Sequence, residues 1–242
     1  MTPEEQAAFF TVHSDLPREG PGLPDDVYWA VEHLGLSGTL RVLDAGCGPG
    51  ADLEVLARAL PEARIEGIDK VPHFVQAAQT RVAAYAPRVT AELRDMAELD
   101  GTYDLIWCAG ALYFLGVTAG LKRWRDALNR GGMVAFSEPV LVTTPASAEA
   151  TAFWEEYPQI TDLEGIKAQV ADAGYEVQAH RMIVGAPWRA YFDPMQARMD
   201  MLRKLDPDAA LAVALEENQL EIDRWAAVPE QIAYALLIVT PR

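Results

Sequence analysis

Asp44, Gly46, Gly48 and Gly50 stand at alternate positions of one short stretch, Val42–Gly50. Glycines at a strand-to-helix turn let the backbone come close to a ligand, because no Cβ intervenes. In open α/β sheets the ligand sits beyond the carboxyl ends of the strands, at the switch point. Asp69 lies 23 residues after Gly46. That is near the ~20-residue spacing at which a carboxylate grips ribose hydroxyls. Turn and acid together indicate an adenosine-containing ligand.

These residues need a particular frame to position them. Leu40–Asp44 is apolar and ends in the glycine cluster, so it predicts a strand. Asp52–Leu60 follows with Leu53, Leu56 and Leu60 on one helical face. Further strands are expected at Arg64–Asp69, Arg88–Arg94, Tyr103–Cys108 and Met133–Ser137. Pro72 suits a first helical turn, and a helix through Leu121, Trp124 and Leu128 is expected to stop at Gly131-Gly132. Leu105–Cys108 is a continuous apolar run, as a strand buried on both faces should be. Thr161-Asp162-Leu163-Glu164 has the spacing of a capping box for a helix ending at Gly174. Tyr175–Val184 and Ile232–Thr240 complete seven strands. The alternation predicts a doubly wound α/β sheet with helices on both faces. A last strand inserted antiparallel beside the sixth would mark one subclass of such sheets.

Two ligands compete for the glycine turn. Gly46-x-Gly48-x-x-Ala51 nominally fits the dinucleotide fingerprint. Asp44, two residues before the first glycine, would be misplaced beside a pyrophosphate, because a helix N-terminus favours anions and a carboxylate works against that. S-adenosylmethionine, cationic at sulfur and zwitterionic at its tail, suits Asp44 better. At this point the sequence resembles the class I S-adenosylmethionine-dependent methyltransferases. Asp44-x-Gly46-x-Gly48-x-Gly50 resembles their first motif and Ile65–Asp69 their second. Leu93–Met96 resembles the third, Tyr103–Cys108 and Leu128–Val134 the fourth-strand and fifth-strand motifs. The stretches Phe10–Gly22, Gly110–Tyr113, Phe153–Pro158 and Trp188–Pro194 are similar to a type-11-like bacterial branch that acts on small molecules. Ala109 and Phe114 stand where members often carry Glu and Asn.

The resemblance implies that Asp69 holds the ribose, Asp95 the adenine amino group and the Met96 backbone another ring edge. Cys47, Lys70, Cys108 and Ala109 lie in or beside the same motifs and join the expected cofactor set with Asp44, Gly46, Gly48 and Gly50. Arg18, in the Pro- and Gly-rich loop Leu16–Gly22, is either a partner for the cofactor carboxylate or part of a packing turn. Tyr113, Glu138 and His13 are the candidate catalytic groups. Tyr113 follows the fourth strand, where transfer should occur. Glu138 ends the fifth at the same rim, placed to bind an amine, take a proton or cap the strand. Tyr113, Trp154, Tyr157, Trp188 and Tyr191 are the candidate acceptor-binding residues, with core packing as the competing role. Glu216, Glu217, Glu221 and Asp223 look like a solvated helix face.

The chain has 242 residues, half of them apolar, and a net charge of −16. That charge argues against a holder of duplex nucleic acid and against an anionic membrane surface. The longest apolar run has eight residues, far short of the ~20 that span a bilayer. Two cysteines make no disulfide framework, the N-terminus lacks a basic signal region, and the four histidines show no metal-ligand spacing. A cytoplasmic location is the expectation. An N-terminal arm is expected over 1–38 and a methyltransferase domain over 39–242, with insertions at 139–161 and 187–229 forming a substrate lid. The expected function is direct methyl transfer to an unidentified small molecule, leaving S-adenosylhomocysteine. An NAD-type Rossmann oxidoreductase is one alternative. A non-catalytic S-adenosylmethionine binder, suggested by Ala109 and Phe114, is the other. An exposed apolar helix within 195–225 would favour a homodimer.

Overall fold

The computed structural model describes residues 2–35 and 37–242. Met1 and Leu36, both inside the arm expected at 1–38, lie outside the described residues. Seven strands form one sheet: β1 (Arg41–Ala45), β2 (Arg64–Asp69), β3 (Val89–Leu93), β4 (Tyr103–Ala109), β5 (Leu128–Leu141), β6 (Tyr175–Val184) and β7 (Ile232–Pro241). Their order is β3-β2-β1-β4-β5-β7-β6. The first five run parallel, and β7 is antiparallel to both β5 and β6. This is the expected doubly wound, mostly parallel sheet, with the last strand inserted beside the sixth.

Successive residues of each strand serve opposite faces of the sheet. Val42 and Ile65 pack under α2 (Pro24–Leu34), α3 (Ala51–Ala59) and α4 (Pro72–Val82). Leu43 and Ile68 pack under α5 (Val117–Trp124) and α7 (Leu163–Asp172). Both faces are therefore covered, which is why Leu105–Cys108 needs no polar alternation.

A third core lies off the sheet. It joins α1 (Pro3–His13), α6 (Ala148–Phe153), α8 (Ala186–Leu202) and α9 (Ala209–Ala227) through Val12, Trp154, Trp188, Phe192, Met195 and Trp225. The arm and both inserted stretches thus share one apolar interior. The apolar residues on which a second copy was expected to dock are mostly consumed there, while Met201, Leu205, Val213 and Leu220 stay exposed.

Three local expectations are corrected. Helix α5 ends at Trp124, followed by a 3₁₀ turn over Arg125–Ala127, so Gly131-Gly132 falls inside β5 and does not stop a helix. The pair lies where the β4–β5 register is irregular, between Tyr103 and Leu105. The cap of α7 is Asp162, whose carboxylate accepts from the Gly165 N–H at 2.9 Å. Thr161 is occupied as extended chain, its carbonyl accepting from the Leu141 N–H. Helix α1 was not foreseen, although Thr2 and Glu5 form a reciprocal capping box at its start.

Candidate active site

The turn from β1 to α3 is built by glycines with positive φ, 78° at Gly46 and 82° at Gly50. A Cβ on Gly46 would lie 2.7 Å from the Ala111 Cβ, and one on Gly50 would lie 3.0 Å from the Ala78 Cα. Side chains are excluded by both conformation and space. The Gly46 and Cys47 N–H groups donate to the Ile68 carbonyl at 2.8 and 2.9 Å, tying the turn to the end of β2. Asp69 completes the tie. One carboxylate oxygen accepts from the Gly48 N–H at 3.0 Å, the other from the Val71 N–H at 2.8 Å. Each oxygen keeps acceptor capacity for a ligand.

A cavity of about 880 Å³ opens at this edge of the sheet. Its floor includes Asp44, Gly46, Cys47, Gly48, Asp69, Lys70, Asp95, Met96 and Ala109. Arg18 and Glu19 wall it from the arm, as do Phe9, Phe10 and His13 of α1. Tyr113, Tyr191 and, from α9, Asn218 and Glu221 also line it. Phe114 lines the rim, with the Lys70 ammonium 5.5 Å from its ring centroid. Six of the sequence candidates are not on the wall: Gly50, Cys108, Glu138, Trp154, Tyr157 and Trp188. Gly50 serves the turn, and Trp154 and Trp188 pack in the third core.

Asp44 is 2% exposed and makes no side-chain hydrogen bond among the described residues. Burial, with Asp52 and Asp69 nearby, pushes its carboxyl well above the usual range, against the pull of Arg18. A buried carboxylate without a donor is costly unless a partner arrives. An ammonium is such a partner, so these residues fit a zwitterionic amino-acid tail bound over the glycine turn.

Arg18 is held by its own loop. Its Nε donates to the Gly20 carbonyl at 2.6 Å, Nη1 donates to the Gly22 carbonyl, and Nη2 pairs with Asp52 at 3.1 Å. Asp52 also accepts from the Trp107 indole at 3.2 Å. The guanidinium therefore clamps the arm to the sheet beside Asp44. Burial pushes the thiols of Cys47 and Cys108 up, helped by Asp44, so both remain thiols.

His13 is committed elsewhere. Its Nδ1 lies 2.8 Å from the Glu19 carboxylate and its Nε2 lies 3.2 Å from the Asn218 Oδ1. The Asn218 Nδ2 donates to the Ala214 carbonyl, which turns its oxygen toward the histidine. Both ring nitrogens therefore have protein partners. Glu138 is 4% exposed and accepts from the Tyr157 hydroxyl at 2.7 Å. Burial raises its pKa to about 7, opposed by that bond. Tyr113 is raised to about 12 by burial and by the nearby Glu138. Its phenol stays neutral.

Glu221 corrects the sequence reading. It belongs to the cavity wall and not to a solvated face. Burial raises its pKa to about 6, against the pull of His13. Asn218, Glu19, Phe9 and Phe10 were also missed. Their common signal was weak: α1 and α9 meet only in the folded chain.

Residues 42–132 match a family described as a methyltransferase domain. The match runs from β1 into β5 and contains the glycine turn, Asp69 and Asp95. Over its whole length the fold is that of an S-adenosylmethionine-dependent methyltransferase from Geobacter sulfurreducens, solved with S-adenosyl-L-homocysteine, at a TM-score of 0.86, 22% identity and 98% of each chain.

Residues 42–132 are similar to a methyltransferase domain, and the fold is that of such methyltransferases.

A second such methyltransferase, from Thiobacillus denitrificans and also solved with S-adenosyl-L-homocysteine, superposes at a TM-score of 0.85 with 23% identity. It covers 97% of this chain and 98% of that one. Among curated proteins, the trans-aconitate 2-methyltransferase of Mycobacterium tuberculosis is 35% identical over 132 residues, 54% of this chain and 49% of that protein. The chain thus matches about half the length of these relatives. The turn and Asp69 lie within the family-matched segment. The α1, α8 and α9 wall lies outside it.

Proposed function

We propose that the protein transfers a methyl group from S-adenosylmethionine to a small-molecule acceptor. The buried, donorless Asp44 carboxylate at the foot of the glycine turn carries the reading. It suits the ammonium of an amino-acid tail and repels a pyrophosphate. The sheet order supports the same choice, because the dinucleotide fold places its sixth strand directly after the fifth. In this reading Asp44 holds the tail, Asp69 the ribose, and Asp95 with the Met96 backbone the adenine.

S-adenosylmethionine supplies a methyl already activated by a sulfonium leaving group. What remains for the chain is alignment and exclusion of water. The cavity lies near the top of the ~300–1,000 Å³ range of ligand pockets. That is room for two molecules side by side, which disfavours a binder without an acceptor. Tyr113, on the wall and neutral, is the candidate for orienting the acceptor. Glu138 is a weaker candidate, since its carboxylate is turned toward Tyr157. The arm and the two inserted stretches form the lid in this proposal. Cytoplasmic residence belongs to the same reading, supported by two buried, unpaired cysteines.

Asp44→Asn tests the proposal. Loss of a charged hydrogen bond, about 1.5–3 kcal/mol, should weaken S-adenosylhomocysteine binding ten- to hundredfold. The same change removes a buried charge and should raise the melting temperature. Unchanged affinity contradicts the assignment.

A further inference from the structure

We propose that the acceptor is a small amine and that Glu221 and Tyr191 recognise it. This rests on the methyltransferase reading above. Glu221 reaches the cavity from α9 and has no hydrogen bond or ion pair among the described residues. Tyr191, from α8, is an independent sign of a missing ligand. It is 8% exposed and lines the same cavity, yet its hydroxyl has no partner among the described residues. Two helices that meet only in the third core thus aim an unpaired carboxylate and an unpaired phenol at one space. Phe9, Phe10 and Tyr113 line the same cavity. A carboxylate among aromatic faces favours an ammonium by charge and by cation–π attraction.

Of the cations on the wall, Lys70 lies 5.5 Å from the centroid of the Phe114 ring. Arg18 is paired with Asp52, and Arg94 lies 3.1 Å from Asp100. His13 faces Glu19 and Asn218. The acceptor end therefore suits a cation and disfavours a polycarboxylate such as the trans-aconitate for which the curated relatives are named.

The chemistry balances. An ammonium at Glu221 first gives one proton to the carboxylate or to water. The nitrogen lone pair then forms the N–C bond as the C–S bond breaks, and the C–S electron pair goes to sulfur. The sulfonium charge disappears and the N-methylated product is again an ammonium beside Glu221.

The test is calorimetric titration of the protein saturated with S-adenosylhomocysteine, using dimethylammonium and trans-aconitate as probes. Dimethylammonium should bind and trans-aconitate should not. Glu221→Gln should weaken dimethylammonium at least tenfold, and Tyr191→Phe should weaken it severalfold. Both variants should bind S-adenosylhomocysteine as the natural chain does, which also shows that they fold. Binding of trans-aconitate in place of dimethylammonium, or undiminished dimethylammonium binding in both variants, overturns the inference and leaves the methyltransferase reading standing. Failure of the natural chain to bind S-adenosylhomocysteine overturns both.

Discussion

Glu138 is a buried carboxyl whose ionisation the fold resists. Its pKa rises from 4.5 to about 7 because burial outweighs the Tyr157 hydrogen bond. Between those values the folded chain binds more protons than the unfolded one, so stability falls as pH rises through the window. Glu138→Gln keeps an acceptor for Tyr157 and removes the ionisation. The natural chain should lose on the order of 3 kcal/mol between pH 4.5 and 8 through this group alone. Denaturant melts at several pH values should show a flatter profile for the variant and greater stability above pH 7. Parallel profiles would place the Glu138 carboxyl in a wetter site. At this scale the glycine turn and the carboxylates beside it were legible in the sequence. Asp44, Gly46, Gly48 and Asp69 act through spacing along one strand-turn-helix unit, and such spacing survives translation into structure. Glu221 was not legible. Glu216 and Glu217 nearby are exposed acids, and Glu221 is taken out of water only by the folded cavity wall.

The helices of the third core form part of the cavity wall, and a few long-range ties hold them. Arg198 of α8 donates from Nε and Nη2 to the Thr11 carbonyl at 2.9 and 2.7 Å, and its Nη1 lies 3.3 Å from Asp15. These bonds fix the C-terminal end of α1, which carries Phe9, Phe10 and His13 onto the cavity. Arg198→Ala should free that helix at a cost of about 1–3 kcal/mol. Hydrogen exchange should quicken over residues 3–13 while the amides of β1 and β4 stay protected. Uniform loss of protection would mean that α1 and the sheet unfold as one unit. The strands were legible in order and place, though β5 runs from Leu128 to Leu141 and so extends well past the expected Met133–Ser137. Helix α1 was not. Its apolar residues are spread around the helix without a clear stripe, and its only sharp signal was the cap at Thr2 and Glu5.

For the molecule as a whole, the net charge of −16 now divides into parts with different roles. Asp44, Asp69, Asp95 and Glu221 line the cavity. Much of the remainder, such as Glu216 and Glu217, is solvated surface. Among the described residues no helix is long and apolar enough to cross a membrane. The length beyond a bare sheet is also accounted for. It builds one shared apolar interior that covers the cavity and presents side chains to it. The central claim is that this cavity is made for S-adenosylmethionine and its product. Isothermal titration with S-adenosylhomocysteine and, separately, with NAD tests it most directly. Saturable binding of one S-adenosylhomocysteine per chain, with no binding of NAD, is the predicted result. Binding of NAD without S-adenosylhomocysteine would contradict it.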